Sequence, residues 1–146
     1  MALKASSGLR NKMATNMGLT SAMTLGFINV YSGAGPATAN DAATGTLLCV
    51  ISNNGGATGL TFEATAVDGV VQKAIAEVWS GTNLATGVAG YYRHVAAGDT
   101  AASSTTEARL QGTVGTSGAD MNMTSVNLAS GATQTLDFYT VNLPTF

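Results

Sequence analysis

The residue types that most often carry chemistry are rare in this sequence. The 146-residue chain holds one cysteine, Cys49, and one histidine, His94. A lone cysteine forms no internal disulfide and supplies no Cys-x-x-Cys metal clamp. Cys49 lies in an apolar run, whereas a reactive thiol needs an electropositive and partly exposed setting. The sequence therefore predicts that Cys49 is a buried and unreactive side chain.

The histidine and the acidic residues are also poorly placed for catalysis or metal binding. His94 would need a serine nucleophile and an acid such as Asp99 to form a hydrolytic triad, and no Gly-x-Ser-x-Gly elbow accompanies it. A zinc site built on one His and one Cys would need two further strong ligands. The acids are scattered singly and do not follow the spacing of a calcium loop. The sequence thus indicates no enzyme, no metal and no cofactor.

The charge composition points away from nucleic acid and membranes. The formal net charge is -2, whereas binding through phosphate neutralisation needs clustered Lys and Arg. No apolar stretch is long enough to span a bilayer, and the N-terminus lacks the apolar core of a signal peptide. Only 10% of residues are charged, against about 25% in ordinary soluble domains. We therefore expect assembly in a cytoplasm and a surface that is covered by copies of the chain or by a lattice.

The elements that must position any site are predicted to be strands. From Leu25 onward, the sequence takes the pattern of strands. Apolar and polar residues alternate in 60–66 and 108–114, as expected of half-buried strands, whereas 47–51 is a continuous apolar run, as expected of a strand covered on both faces. The predicted strand segments are 27–31, 47–51, 60–66, 88–95 and 108–114. Segment 69–81 fits either a helix face or two short strands, and its β-rich surroundings favour strands.

Changes of alternation and recurrent turns predict how these strands are arranged. The apolar set changes faces within 121–128 and again within 136–143, and each change implies a bulge or corner. Glycine-rich turns recur along the chain, which fits seven to nine short antiparallel strands. We therefore predict an all-β fold, an antiparallel β-sandwich or jelly roll over residues 26–146, preceded by a short, partly helical arm.

Residues 1–25 form that predicted N-terminal arm. They contain Lys4, Arg10 and Lys12 and no acidic residue. Ser6 or Ser7 is suited to cap a helix that carries an apolar stripe of Leu9, Met13 and Met17, with Gly18 at its end. We expect the arm to lie apart from any sheet. It either folds back on the body of the protein or reaches onto a partner. In the second case, deleting residues 1–13 leaves a folded domain that no longer attaches.

Six segments of the chain carry a resemblance to known proteins, in turns and strand centres rather than in chemical groups. They are 1–13, 28–39, 43–48, 87–93, 110–114 and 118–121, and with them the similarity extends over nearly the whole chain. The chain resembles small virion structural proteins of tailed bacteriophages, of the capsid cement or decoration type.

The resemblance implies a decoration protein that binds the outside of the phage head and stabilises the lattice of the major capsid protein. Its expected partners are that capsid protein and copies of itself, as dimers or trimers at lattice symmetry axes. Its expected location is the capsid exterior of a virion assembled in the bacterial cytoplasm. The alternative is a tail, neck or fibre component, or a β-module of the virion that binds the host surface.

Under this resemblance, two groups of residues are candidates for protein contacts. The first is the arm, where basic side chains would meet an acidic lattice surface and apolar ones would pack. The second is a set of aromatic anchors in a subunit interface, although Trp79 serves equally well as core filling. The two groups are Lys4, Leu9, Arg10, Lys12, Met13 and Met17, and Trp79, Tyr91 and Tyr92.

Overall fold

A computed structural model of the chain describes residues 3–145. Over that range the protein is mostly β, and the prediction of an all-β fold with antiparallel sheets is confirmed. One pair, β7 with β8, runs parallel. The helices and strands are β1 (Lys4–Ala5), α1 (Ser7–Thr15), α2 (Leu19–Ala22), β2 (Phe27–Ser32), β3 (Leu47–Asn53), β4 (Val70–Gln72), β5 (Trp79–Thr82), β6 (Gly87–Val95), β7 (Arg109–Gly115), β8 (Met121–Asn122), β9 (Asn127–Leu128), β10 (Thr133–Thr135) and β11 (Thr140–Asn142).

Nine of these strands form one large sheet, and the remaining two form a small ribbon. The order in the large sheet is β1-β7-β6-β2-β3-β5-β10, with β8 beside β7 and β9 beside β6. The ribbon pairs β11 with β4. The predicted strands at 27–31, 47–51, 88–95 and 108–114 are confirmed as β2, β3, β6 and β7, because long apolar side chains on each of them are buried. Segment 69–81 holds two short strands, β4 and β5, and no helix.

The main core lies on one face of the large sheet. Neighbouring strands bring Ile28 beside Ile51 and His94 on that face. The ribbon closes over it: Tyr139, just before β11, packs its ring 5.7 Å from His94 and 5.5 Å from Trp79. The two sheets therefore enclose a single apolar core in a sandwich-like arrangement.

The opposite face of the large sheet is covered by a loop, although the sequence predicts a solvent-exposed polar face there. Residues 33–44 cross this face. The Tyr91 hydroxyl donates to the Thr44 carbonyl at 2.6 Å, and the Gln111 amide donates to the Pro36 carbonyl at 2.8 Å. Arg109 on the same strand is fully buried. Successive side chains of β7 therefore face the apolar core on one side of the sheet and a buried polar layer on the other.

The predicted strand at 60–66 is largely wrong. Leu60 and Phe62 are buried and form isolated bridges with Gly26 and Lys73. Ala64 and Ala66 are exposed. Alanine buries little apolar surface, so nothing holds the second half of this run in a sheet.

The N-terminal arm is folded onto the body and contributes to the sheet, which corrects the expectation that it is separate from any sheet. Strand β1 pairs with β7, opposing Lys4 to Gln111. The prediction of a helix capped by Ser6 is confirmed, since the Ser6 hydroxyl accepts from the Leu9 amide at 3.1 Å. Helix α1 ends at Thr15, and Gly18 instead precedes α2 with an extended backbone.

Candidate interaction surface

Ser6 fixes the arm to the body through its hydroxyl and its amide. The hydroxyl donates to the Glu107 carbonyl at 2.7 Å and accepts from the Arg109 amide at 3.0 Å, while the Ser6 amide donates to the Arg109 carbonyl at 2.9 Å. Gly8 is pressed against the same segment, where a Cβ would overlap the Thr106 carbonyl oxygen. Leu9 follows and is fully buried. The start of α1 is therefore rigidly positioned.

Behind this junction, Arg109 joins β7 to two loops. Its guanidinium pairs with the Asp99 carboxylate, with Nη2 to Oδ1 at 2.9 Å, and both side chains are buried. It also donates to the carbonyls of Ala102 at 2.6 Å and Ala39 at 3.3 Å. These loops carry the surface on which the arm rests, so Arg109 stabilises the arm indirectly.

Helix α1 forms one wall of an apolar groove with a volume of about 630 Å³. The opposite wall comes from the C-terminal segment that starts with β11. Arg10 is the one charged side chain among the described residues that line it. The lining is Leu3, Ala5, Leu9, Arg10, Met13, Ala14, Leu19, Leu110, Val141, Asn142, Leu143 and Pro144.

The groove brings together three of the six arm residues that the sequence singles out, namely Leu9, Arg10 and Met13. Leu9 forms its buried floor, and Arg10 is exposed at its rim. The other three lie outside it. The Lys4 ammonium donates to the Ala37 carbonyl at 3.0 Å, Lys12 is on another side of α1, and Met17 is 37% exposed beyond the helix end.

The aromatic residues predicted as interface anchors are all buried within this chain, so none presents its ring to a partner. Trp79 fills the core and donates from Nε1 to the Glu77 carboxylate at 2.7 Å, as in the alternative interpretation. Tyr91 and Tyr92 point to opposite faces of β6, and both faces are covered at these two positions. Tyr91 is under the 33–44 loop and Tyr92 is under Tyr139.

Other apolar side chains, which were not among the residues predicted from the sequence, are exposed instead. Ile75 is 78% and Phe138 76% exposed, and both border one shallow depression beside the ribbon. Phe138 could have been found from the parity change within 136–143, because a strand that changes faces leaves one apolar residue outside. This depression is a second candidate contact surface.

His94 and Cys49 are both buried in apolar surroundings. Burial raises the pKa of the Cys49 thiol to about 11, which keeps it protonated at neutral pH. Burial lowers the pKa of His94 to about 3. Neither imidazole nitrogen of His94 has a hydrogen-bond partner among residues 3–145. The ring packs against Phe62 at 5.5 Å, and His94 is therefore a neutral core residue.

The buried His94 is expected to make stability fall in acid. The unfolded chain binds a proton at His94 below its ordinary pKa near 6.5, whereas the folded chain does not until about pH 3. Stability from this residue is therefore lost as the pH falls between these values, by about 1.4 kcal/mol per pH unit. His94→Phe is expected to remove this slope. Urea unfolding of both proteins across that range measures the difference, and parallel pH curves would contradict the assignment.

Other kinds of site are not found in the part of the chain that the structure describes. Within residues 3–145, no group of three or more His, Cys, Asp or Glu side chains is arranged to hold a metal ion. No helix in that range has the length and apolar character needed to cross a membrane.

Three kinds of comparison place no known protein beside this chain: no family model, no curated protein and no solved structure matches it.

Proposed function

We propose that the protein is a bacteriophage capsid cement protein, which binds the outside of the head and stabilises the lattice of the major capsid protein. The observation that carries the proposal is the apolar groove between α1 and the C-terminal segment. Its floor is apolar, and Arg10 is its one charge among residues 3–145, so its chemistry suits a protein partner. The low charge of the chain and its resemblance to small phage virion proteins support the same conclusion.

In this proposal, the protein acts by adding contacts that the bare shell lacks. A protein that binds only the assembled lattice stabilises that state by mass action. Many equivalent copies act together, so each contact need only be modest. The rigid junction at Ser6 and Arg109 supports this role because a preorganised surface loses less conformational entropy on binding.

We also propose a strand arrangement and an oligomeric state for the protein. The first is that the two sheets belong to a jelly-roll arrangement, which is common among virus structural proteins. The second is self-association into dimers or trimers at symmetry axes of the shell. Ile75 and Phe138 are exposed enough to contribute to that contact. A map of the particle tests the proposed self-association, because it shows the number of copies around each symmetry axis.

Add-back to heads that lack the protein tests the function. We expect the purified protein to bind such heads and to raise the temperature at which they release DNA. Arg10→Glu is expected to weaken binding by about tenfold or more, because it reverses the charge at the rim of the groove. Lys12→Glu is the matched control, since it makes the same charge change on the same helix outside the groove. Sedimentation of heads with bound protein measures occupancy.

Two outcomes of the add-back experiment would count against the proposal. Failure of the unaltered protein to bind heads would contradict the cement function. Equal losses for the two charge reversals would show that the overall basic charge of the arm, and not the groove, mediates the contact.

A further inference from the structure

The groove lies between two strand edges that have no neighbour in the described chain. Strand β1 is the last strand at one end of the large sheet, and β11 has only β4 beside it. A free strand edge presents unpaired backbone donors and acceptors, which makes it a template for pairing with another chain. Both Ala5 of β1 and Asn142 of β11 line the groove.

The strand register shows which backbone groups point outward from β1. Ser6 donates from its amide to the Arg109 carbonyl at 2.9 Å, so Ser6 occupies a hydrogen-bonded position opposite β7. Antiparallel pairing alternates between bonded and non-bonded positions. Ala5, which opposes Leu110, is therefore non-bonded, and its N–H and C=O are directed away from β7.

Strand β11 also directs backbone groups outward. Lys73 donates to the Tyr139 carbonyl at 2.9 Å, and Leu143 donates to the Gly69 carbonyl at 3.0 Å. Residues 139, 141 and 143 thus occupy the bonded positions. Asn142, which opposes Val70, is non-bonded, and its backbone groups are directed away from β4.

The walls of the groove indicate which side chains such a pairing segment would carry. Apart from Arg10 and Asn142, the described residues that line the groove are apolar. Arg10 therefore places a positive charge at the rim of an otherwise apolar surface. An occupant with apolar side chains and a carboxylate near Arg10 complements both features.

We infer that the groove binds an extended, acidic and apolar peptide segment of the partner protein, which adds as a strand to the free edge of β1 or of β11. Main-chain hydrogen bonds supply affinity in this mode of recognition, and the groove selects alternate side chains. This inference rests on the proposed function, because it takes the segment to belong to the major capsid protein.

Proline substitutions test the backbone contacts. Ala5→Pro and Asn142→Pro each remove one outward N–H that has no backbone acceptor within residues 3–145, and proline is tolerated on strand edges whose N–H faces outward. Ala5→Ser and Asn142→Thr keep the N–H and serve as matched controls. We expect at least one proline variant to lose head binding by tenfold or more, with its control unaffected. Thermal unfolding verifies that each variant is folded.

A second measurement needs no head particle and keeps the two proposals distinguishable. The probe is a capped pentapeptide of sequence Val-Asp-Val-Thr-Val, compared with the same peptide carrying Lys in place of Asp. We expect the acidic peptide to shift the backbone amide resonances of Ala5 or Asn142, and the basic peptide to leave them unchanged.

The outcomes separate the inference from the function. Head binding that survives both proline variants would overturn the inference while leaving the cement function standing. Absence of head binding by the unaltered protein, together with shifts from the acidic peptide, would overturn the function and leave the groove as a peptide site. A dimer of this chain that dissociates with Ala5→Pro would assign the groove to a second copy and overturn the chosen occupant.

Discussion

A chain that begins at Ala14 is expected to lose most of its stability rather than to keep an intact fold. The deletion removes Leu9, which is fully buried, and truncating a single buried leucine to alanine costs about 2–5 kcal/mol. It also removes Ser6 and the bonds that it makes to Glu107 and Arg109. Because a domain is stable by only about 5–15 kcal/mol in total, we expect no cooperative unfolding transition for the truncated chain.

Urea denaturation followed by near-ultraviolet circular dichroism measures this effect. Met17→Ala is the control, because Met17 is an apolar arm residue beyond the end of α1 and is 37% exposed. Its cost is expected to stay within about 0.5 kcal/mol. If the truncated chain unfolds cooperatively at a urea midpoint close to that of the full-length protein, the arm is not needed for folding. That result would support the alternative expectation that the arm reaches onto a partner.

Replacement of Arg109 by methionine is expected to lower the free energy of unfolding by about 3–5 kcal/mol. Methionine keeps much of the side-chain volume and removes the guanidinium. The buried Asp99 carboxylate then loses its cation, and the carbonyls of Ala39 and Ala102 lose a donor. The effect should be large because an unpaired buried charge is costly even where the intact pair adds little net stability.

A double-mutant cycle with Asp99→Asn separates this electrostatic cost from packing. We expect Arg109→Met combined with Asp99→Asn to be more stable than Arg109→Met alone, because the stranded charge is then absent. Arg10→Met is the control for residue type, since Arg10 is exposed. Equal effects at positions 10 and 109 would rule out the buried ion pair as a stabilising element.

The regular strands of the fold follow from the sequence because their pattern reflects burial directly. Ile28 and Val30 in β2 and Leu48 and Ile51 in β3 are buried, and these apolar side chains mark their strands. The helix at the N-terminus is also predictable, because Ser6 supplies the capping hydroxyl at a recognisable position.

The buried polar layer on the second face of the sheet could not be predicted in this way. Arg109 and Gln111 alternate with apolar residues and therefore look solvent-exposed. They are buried because a loop distant in sequence supplies carbonyl partners, such as Pro36 for Gln111. The same loop covers Tyr91. Alternation of apolar and polar residues identifies the two faces of a strand, but it does not show whether a loop covers the polar face.

The position of part of the groove follows from the sequence. Leu9 and Met13 both line it, as their helical spacing indicates, whereas Met17 of the same predicted stripe does not. The second wall of the groove was not foreseen, because it comes from residues 141–144 at the other end of the chain. The free edges at Ala5 and Asn142 follow from strand pairing, which a single sequence does not specify.

A map of the virion by electron cryomicroscopy tests the proposal that this chain coats the phage head and holds it through the groove. We expect density for the protein on the outside of the head, with the groove between α1 and β11 facing the major capsid protein. We also expect an extended segment of that protein between the two strand edges. Density on the tail alone, or a groove that faces solvent on the head, would overturn the proposal.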